Sequence, residues 1–108
     1  MVQIEYDDEF DILYLRKEGE KVSFSIKLGN NILADVTKSH KIVGIEIFNA
    51  SKFLKLSLKE LKDIKTAKFS TIDKPNMYGV YYMILAGKAQ IENELAVTPR
   101  PIPVPMLH

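Results

Sequence analysis

Apolar and polar side chains alternate through Val2–Tyr6, the two-residue period of a half-buried strand. Asp7-Asp8-Glu9 interrupts that rhythm as a polar turn, and Phe10–Lys17 resumes it. Glu18-Gly19-Glu20 is the next turn, and Val22, Phe24, Ile26 and Leu28 then alternate cleanly with Ser23, Ser25 and Lys27. Gly29-Asn30-Asn31 tolerates positive φ and predicts a tight hairpin into Ile32–Val36. The polar turn Thr37–Lys41 leads into Ile42–Phe48. Five strands joined in this way predict an antiparallel meander.

After Asn49 the period changes. Leu54, Leu58, Leu61 and Ile64 recur at helical spacing, and Ser57-Leu58-Lys59-Glu60 matches a capping box, so one amphipathic helix is predicted from Ser57 to about Lys65. Asp73–Asn76 reads as a loop around Pro75. The apolar run Val80–Ala86, bounded by Gly79 and Gly87, reads as a central strand buried on both faces, and Ala89–Leu95 as its hairpin partner. Pro99, Pro101, Pro103 and Pro105 alternate with Arg100, Ile102, Val104 and Met106. Such a segment is extended and unsuited to a central strand: it is either an arm that docks Ile102, Val104 and Met106 on a partner, or an edge strand of the same molecule. The strand-turn-strand segments 12–28 and 80–97 are alike enough to suggest a degenerate duplication.

The expected fold class is therefore α+β: a meander of about five strands, one amphipathic helix, a further β-hairpin and an extended proline-rich C-terminal arm. A single domain over residues 1–108 is expected, divided into a meander (3–54), a helix-plus-hairpin extension (55–98) and the arm (99–108).

Composition changes this picture little and narrows the chemistry more. No cysteine is present, which removes disulfides, thiolate metal sites and thiol redox chemistry. The start of the chain reads as a strand rather than a leader, and Val80–Ala86 is too short to span a bilayer, so a cytoplasmic protein without membrane contact is expected. The net charge of +1 hides an asymmetry: residues 1–36 hold eight acids against four bases, and residues 37–74 hold nine lysines against four acids. Such polarisation steers a partner or organises self-association, or simply coats two solvated faces.

Two motifs carry a family resemblance. Tyr6-Asp7, Asp11 and Leu13-Tyr14-Leu15 form a Y-D-x-x-x-D-x-L-Y-[IL] opening, and Ile42-Val43-Gly44-Ile45-Glu46-Ile47 with Ala50-Ser51 forms the close. Together they resemble the prokaryotic domain-of-unknown-function family 2283 over about residues 3–54. Asn49 stands where the family usually has an aspartate. The resemblance implies a small protein without an assigned activity, and for some members the partner half of a toxin–antitoxin pair.

Asp7, Asp11 and Glu46 are the candidate metal-ligating carboxylates, for a hard cation such as Mg²⁺ or Ca²⁺. Against that, Asp7 and Asp11 suit turn chemistry, and alternation puts Glu46 on the polar face of its strand, where Lys41 or Arg16 would satisfy it. His40 and His108 lack companions at ligand spacing, and the five glycines are too dispersed for a phosphate loop. Lys52, Lys55, Lys59 and Lys62 form a stripe on the expected helix that suits phosphates, although Glu60 and Asp63 interrupt it and the chain has only two arginines.

No enzyme and no cofactor are expected. The leading expectation is a protein-interaction module that self-associates as a homo-oligomer. Its alternatives are an antitoxin-like partner of a small basic toxin and a weak nucleic-acid binder using the lysine stripe.

Overall fold

A computed structural model describes residues 2–98 and 104–105. In chain order its elements are β1 (Val2–Asp7), β2 (Ile12–Lys17), β3 (Phe24–Leu28), β4 (Ile32–Val36), β5 (Ile42–Phe48), α1 (Ala50–Leu54), α2 (Leu58–Leu61), β6 (Ile64–Lys74), β7 (Met77–Ala86), β8 (Ala89–Val97) and β9 (Val104–Pro105). All strand pairs are antiparallel. They build two sheets, ordered β1-β2-β5-β4-β3-β9 and β6-β7-β8.

The expected α+β class is thereby corrected to a mostly β protein with two helical turns. The capping box is present: Ser57 Oγ accepts the Glu60 N–H at 3.1 Å, and Glu60 Oε1 accepts the Ser57 N–H at 2.9 Å. It opens a helix of only four residues, however. Leu54 belongs to α1 and Ile64 to β6, so the four residues at helical spacing share no single helical face. From Ile64 onward the chain pairs with β7 through a tight turn at Pro75-Asn76. Ten apolar-rich residues of β7 offer a full ladder to β6, and that outweighs the weak local preference for extending one helical turn.

The five-strand meander is corrected as well. After β2 the chain crosses to the far edge, forms β3 and β4, and returns with β5 between β4 and β2. This is a Greek-key path. Periodicity fixes which face a strand buries but says nothing about its neighbours. The hairpin β7–β8 is confirmed in place and extended to Val97. Segments 12–28 and 80–97 differ in one basic respect, since β2 and β3 are not neighbours while β7 and β8 are paired.

Alternation then assigns the faces. Leu13, Leu15, Ile26, Leu28, Ile32, Ala34, Ile45 and Ile47 point inward from the first sheet. Tyr78, Val80, Tyr82, Ile84 and Ala86 point inward from β7, with Ala67 and Phe69 beside them on β6. They share one core with Leu54, Leu56 and Leu61. At about 1.5–3 kcal/mol for each large side chain removed from water, this core dominates the favourable side of folding. Polar ties join the sheets: the Ile42 N–H donates to Thr71 Oγ1 at 2.8 Å, Tyr78 donates its hydroxyl to the His40 carbonyl, and Lys17 Nζ sits 4.7 Å from the centre of the Phe69 ring.

The expectation that β7 is buried on both faces is corrected too. Tyr81, Met83 and Leu85 are only partly buried and lie outside the core cluster. Gly79 shows how closely β8 approaches β7, since a Cβ there would stand 2.1 Å from the Leu95 carbonyl oxygen. β9 pairs with the outer side of β3, Val104 opposite Ser25 and Pro105 opposite Phe24. Most of the expected proline arm, with Ile102 and Met106, lies outside the described residues. Among the described residues, no helix is long and apolar enough to cross a membrane.

Candidate functional site

The carboxylates singled out in the sequence fall into two different environments. Asp7 closes the turn after β1, its Oδ1 accepting the N–H groups of Glu9 (3.0 Å) and Phe10 (3.1 Å). Asp11 adopts a left-handed φ of 55° at the end of that turn. Its Oδ1 accepts the Tyr6 hydroxyl at 2.6 Å and the Ser51 N–H at 3.1 Å, and its Oδ2 accepts the Ser51 hydroxyl at 2.7 Å. The Ala50 N–H donates to the Asp11 carbonyl at 3.0 Å. Asp11 thus caps α1 from 40 residues away, while Asn49, at the N-cap position, makes no side-chain cap. Tyr6-Asp11 from one motif and Ala50-Ser51 from the other form one hydrogen-bonded knot.

Electrostatics follow the geometry. Burial pushes the Asp11 carboxyl up, but the Tyr6 and Ser51 hydrogen bonds win and hold it below the ordinary carboxylate range. Tyr6 is pushed up to about 12, by burial first and by the Asp11 charge it bonds. Asp8 is held low by Lys62, 2.9 Å away. Asp7, Asp8 and Asp11 therefore serve separate partners. Among the described residues, no group of three or more His, Asp or Glu side chains is arranged to hold a metal ion.

Glu46 lies elsewhere, on the outer face of the first sheet. Register places Arg16, Gly44, Asp35 and Ser25 in one row across β2, β5, β4 and β3. The next row holds Glu5, Tyr14, Glu46 and Leu33. A hollow of about 690 Å³ opens on this face, walled by Tyr14, Arg16, Asp35 and Glu46. The Asp35 carboxylate leans over the glycine, where a Cβ would meet its Oδ2 at 3.1 Å.

These carboxylates are poorly satisfied. Asp35 accepts one long hydrogen bond from Ser25 Oγ, at 3.4 Å. Among the described residues no ion pair joins Arg16 to Asp35 or Glu46, and Lys41 pairs with Glu20 at 3.6 Å. Burial raises the Asp35 carboxyl, with Arg16 and Ser25 opposing. Burial also raises Glu46, the Asp35 charge adds to it, and Arg16 opposes. Tyr14 is raised by its surroundings and by the Glu46, Asp7 and Glu5 charges. Half-exposed Ile12, Tyr14, Leu33 and Phe48 share this face. The result is an acidic, partly apolar surface with a central recess.

Sequence reasoning singled out Glu46 and named Arg16 only as a neutralising partner. It passed over Asp35, Tyr14 and Gly44 as members of a site. Two signals were present: a lone acid inside the apolar strand Ile32–Val36, and a glycine inside the strand Ile42–Phe48.

The expected lysine stripe is dispersed. Lys52 lies in α1, Lys55 ends it with a left-handed φ of 56°, Lys59 lies in α2, and Lys62 follows α2 and pairs with Asp8. Among the described residues, Phe10 and Leu58 are the large exposed hydrophobic residues, 66% and 52% accessible.

Comparison with known proteins agrees with the motifs. Residues 3–51 match the model of the DUF2283 family, described as a protein of unknown function. A protein of Methanocaldococcus jannaschii, described only as uncharacterised, is 38% identical over 73 residues, 68% of this chain and 61% of that protein. The chain thus spans about three-fifths of that relative's length. A match of 73 residues cannot fit within 3–51, so the likeness runs into the second half of the chain. No solved structure matches.

Proposed function

We propose that this protein is a cytoplasmic, non-enzymatic protein-interaction module, and that the outer face of the first sheet receives a basic segment of a partner. The observation that carries this reading is the hollow beside Asp35 and Glu46, where both acids are half-buried and held high although Arg16 lines the same recess. No ion pair among the described residues joins them to it, and Tyr14 offers an aromatic wall. An arginine or lysine side chain laid in the hollow would replace lost hydration with charge-assisted hydrogen bonds and stack on Tyr14. An antitoxin-like role is one form of this reading, in which the partner is a small basic toxin. Nucleic-acid binding has less support, because the lysines are split between two helical turns and Lys62 is already engaged.

Titration of ¹⁵N-labelled protein with an oligo-arginine peptide tests the proposal. Shifts are expected at Tyr14, Asp35, Gly44 and Glu46, and a Glu46→Gln/Asp35→Asn variant should lose them. Shifts confined to other surfaces, or none at low salt, would count against it.

A further inference from the structure

The outer face of the second sheet lies away from the hollow, and its pattern reads row by row from the strand register. Lys68, Met83 and Glu92 stand side by side across β6, β7 and β8. Ser70, Tyr81 and Glu94 form the next row, and Ile72, Gly79 and Ala96 the one after. Thr66, Leu85 and Gln90 complete the other side. The central strand thus carries an apolar stripe, Tyr81-Met83-Leu85, with a lysine on one flank and two glutamates on the other. None of the three stripe residues packs against the core.

We propose that this face is a homodimer interface, related by a two-fold axis running along β7. The charge pattern selects both the partner and the axis. An axis along β7 lays the β6 of one copy over the β8 of the other. Each Lys68 then faces the second copy's Glu92, Ser70 faces Glu94, Thr66 faces Gln90, and Ile72 faces Ala96. Met83 packs on Met83, flanked by Tyr81 and Leu85. A two-fold axis across the strands would instead set β6 over β6, with lysine facing lysine, and β8 over β8, with glutamate facing glutamate. Like charges opposed in this way are unfavourable. Only a second copy meets this face with the same pattern reversed, which is the self-complementarity that a two-fold interface requires.

Small side chains at the Gly79–Ala96 end leave room where the β8 backbone closes over β7, so the contact centres on the Tyr81, Met83 and Leu85 rows. Three strands of nine to eleven residues give a footprint of about 450 Å² on each copy, from a spacing near 4.8 Å and a rise near 3.3 Å. That is about half the usual patch on each partner, so the dimer is weak and concentration-dependent. The interface goes beyond the basic-partner reading, and the two surfaces can be occupied independently.

Sedimentation and light scattering of the full chain, from micromolar to millimolar concentration, test the proposal. The mass is expected to rise from 12.3 kDa toward twice that value. Met83→Glu should hold the protein monomeric throughout with an unchanged circular dichroism spectrum. Lys68→Glu should weaken the dimer about tenfold, because two attractive pairs become repulsive, and adding Glu92→Lys should restore it. Carbodiimide coupling of the wild type should yield a covalent dimer of twice the monomer mass, joined through Lys68 of one copy and Glu92 of another. Glu46→Gln/Asp35→Asn should leave the dimer intact, so failure of this interface is distinguishable from failure of the hollow. A monomer at millimolar concentration, association indifferent to Met83→Glu, or a charge swap that restores nothing would each overturn the proposal.

Discussion

Asp11 and Glu46 both belong to the motifs that carry the family resemblance, but their surroundings differ in kind. Asp11 has a partner at each oxygen, two of them from a serine 40 residues away, and its carboxyl is held low. Glu46 shares a recess with a second acid and with Arg16, which offsets its charge without an ion pair among the described residues, and it is held high. A satisfied carboxylate fastens the fold, whereas a desolvated and unsatisfied one stores a cost that a partner can relieve. Being part of a motif does not separate the two cases. Hydrogen-bond completeness does.

The largest expected effect lies on the satisfied side. Asp11→Ala removes the cap of α1 and leaves the Tyr6 hydroxyl without its acceptor, which should cost about 2–3 kcal/mol after allowance for partial exposure. For a domain of this size the melting temperature should fall by about 10–15 °C. Tyr6→Phe, which removes one bond of the knot, should fall by less. If Asp11→Ala melted like the wild type, the knot would be a by-product of the turn and the comparison would collapse.

How much of this was legible in the sequence depends on the range of the interaction. The Asp7 turn, the Ser57–Glu60 capping box and the alternation in β1, β3 and β8 are local, and the residues declare them. Strand β6 was hidden for two reasons. Leu58, Leu61 and Ile64 imitate a helical face although Leu58 stands in solvent, and the register shift between Ile64 and Thr66 blurs the alternation of Ala67 and Phe69 with Lys68 and Ser70. The candidate hollow needs β5 between β2 and β4. No periodicity reports that order, so Arg16 is only one of two partners offered for Glu46, and Asp35 stays unconnected to either.

pH separates the two carboxylate classes with a smaller effect and opposite signs. Asp11 has a folded pKa below its unfolded value near 3.8, so its contribution is present above that value and lost as pH falls through the folded one. Asp35 and Glu46 have folded pKa values above their unfolded values near 3.8 and 4.5. Their contribution is full below those unfolded values and lost as pH rises through the folded ones. Acidification from neutrality should therefore first stabilise the protein through Asp35 and Glu46, then destabilise it through Asp11. Melting temperatures across pH 3–7 should show the first limb flattened in Asp35→Asn/Glu46→Gln, by at most about 1 kcal/mol given the exposure of both groups, and the second limb flattened in Asp11→Asn. A first limb that survives the double substitution would sharpen the comparison against the hollow, since other acids would then account for the gain.

The smallest effect is expected at the acid that sits between the two classes. Asp8 lies 2.9 Å from Lys62, closer than any other ion pair among the described residues, and that contact holds its carboxyl low. By geometry alone it resembles Asp11 and invites the same structural reading. Both side chains are more than half exposed, however, at 57% for Lys62 and 56% for Asp8. Water and salt screen such a pair, and ordering two mobile side chains offsets what attraction remains. Lys62→Ala should therefore leave the melting temperature unchanged within error at physiological and at high salt, although the Asp8 carboxyl titrates at a higher pH once the ammonium is gone. A fall of several degrees would mean that the pair anchors the β1–β2 turn to α2. Distance would then rank these three acids better than burial and hydrogen-bond completeness do.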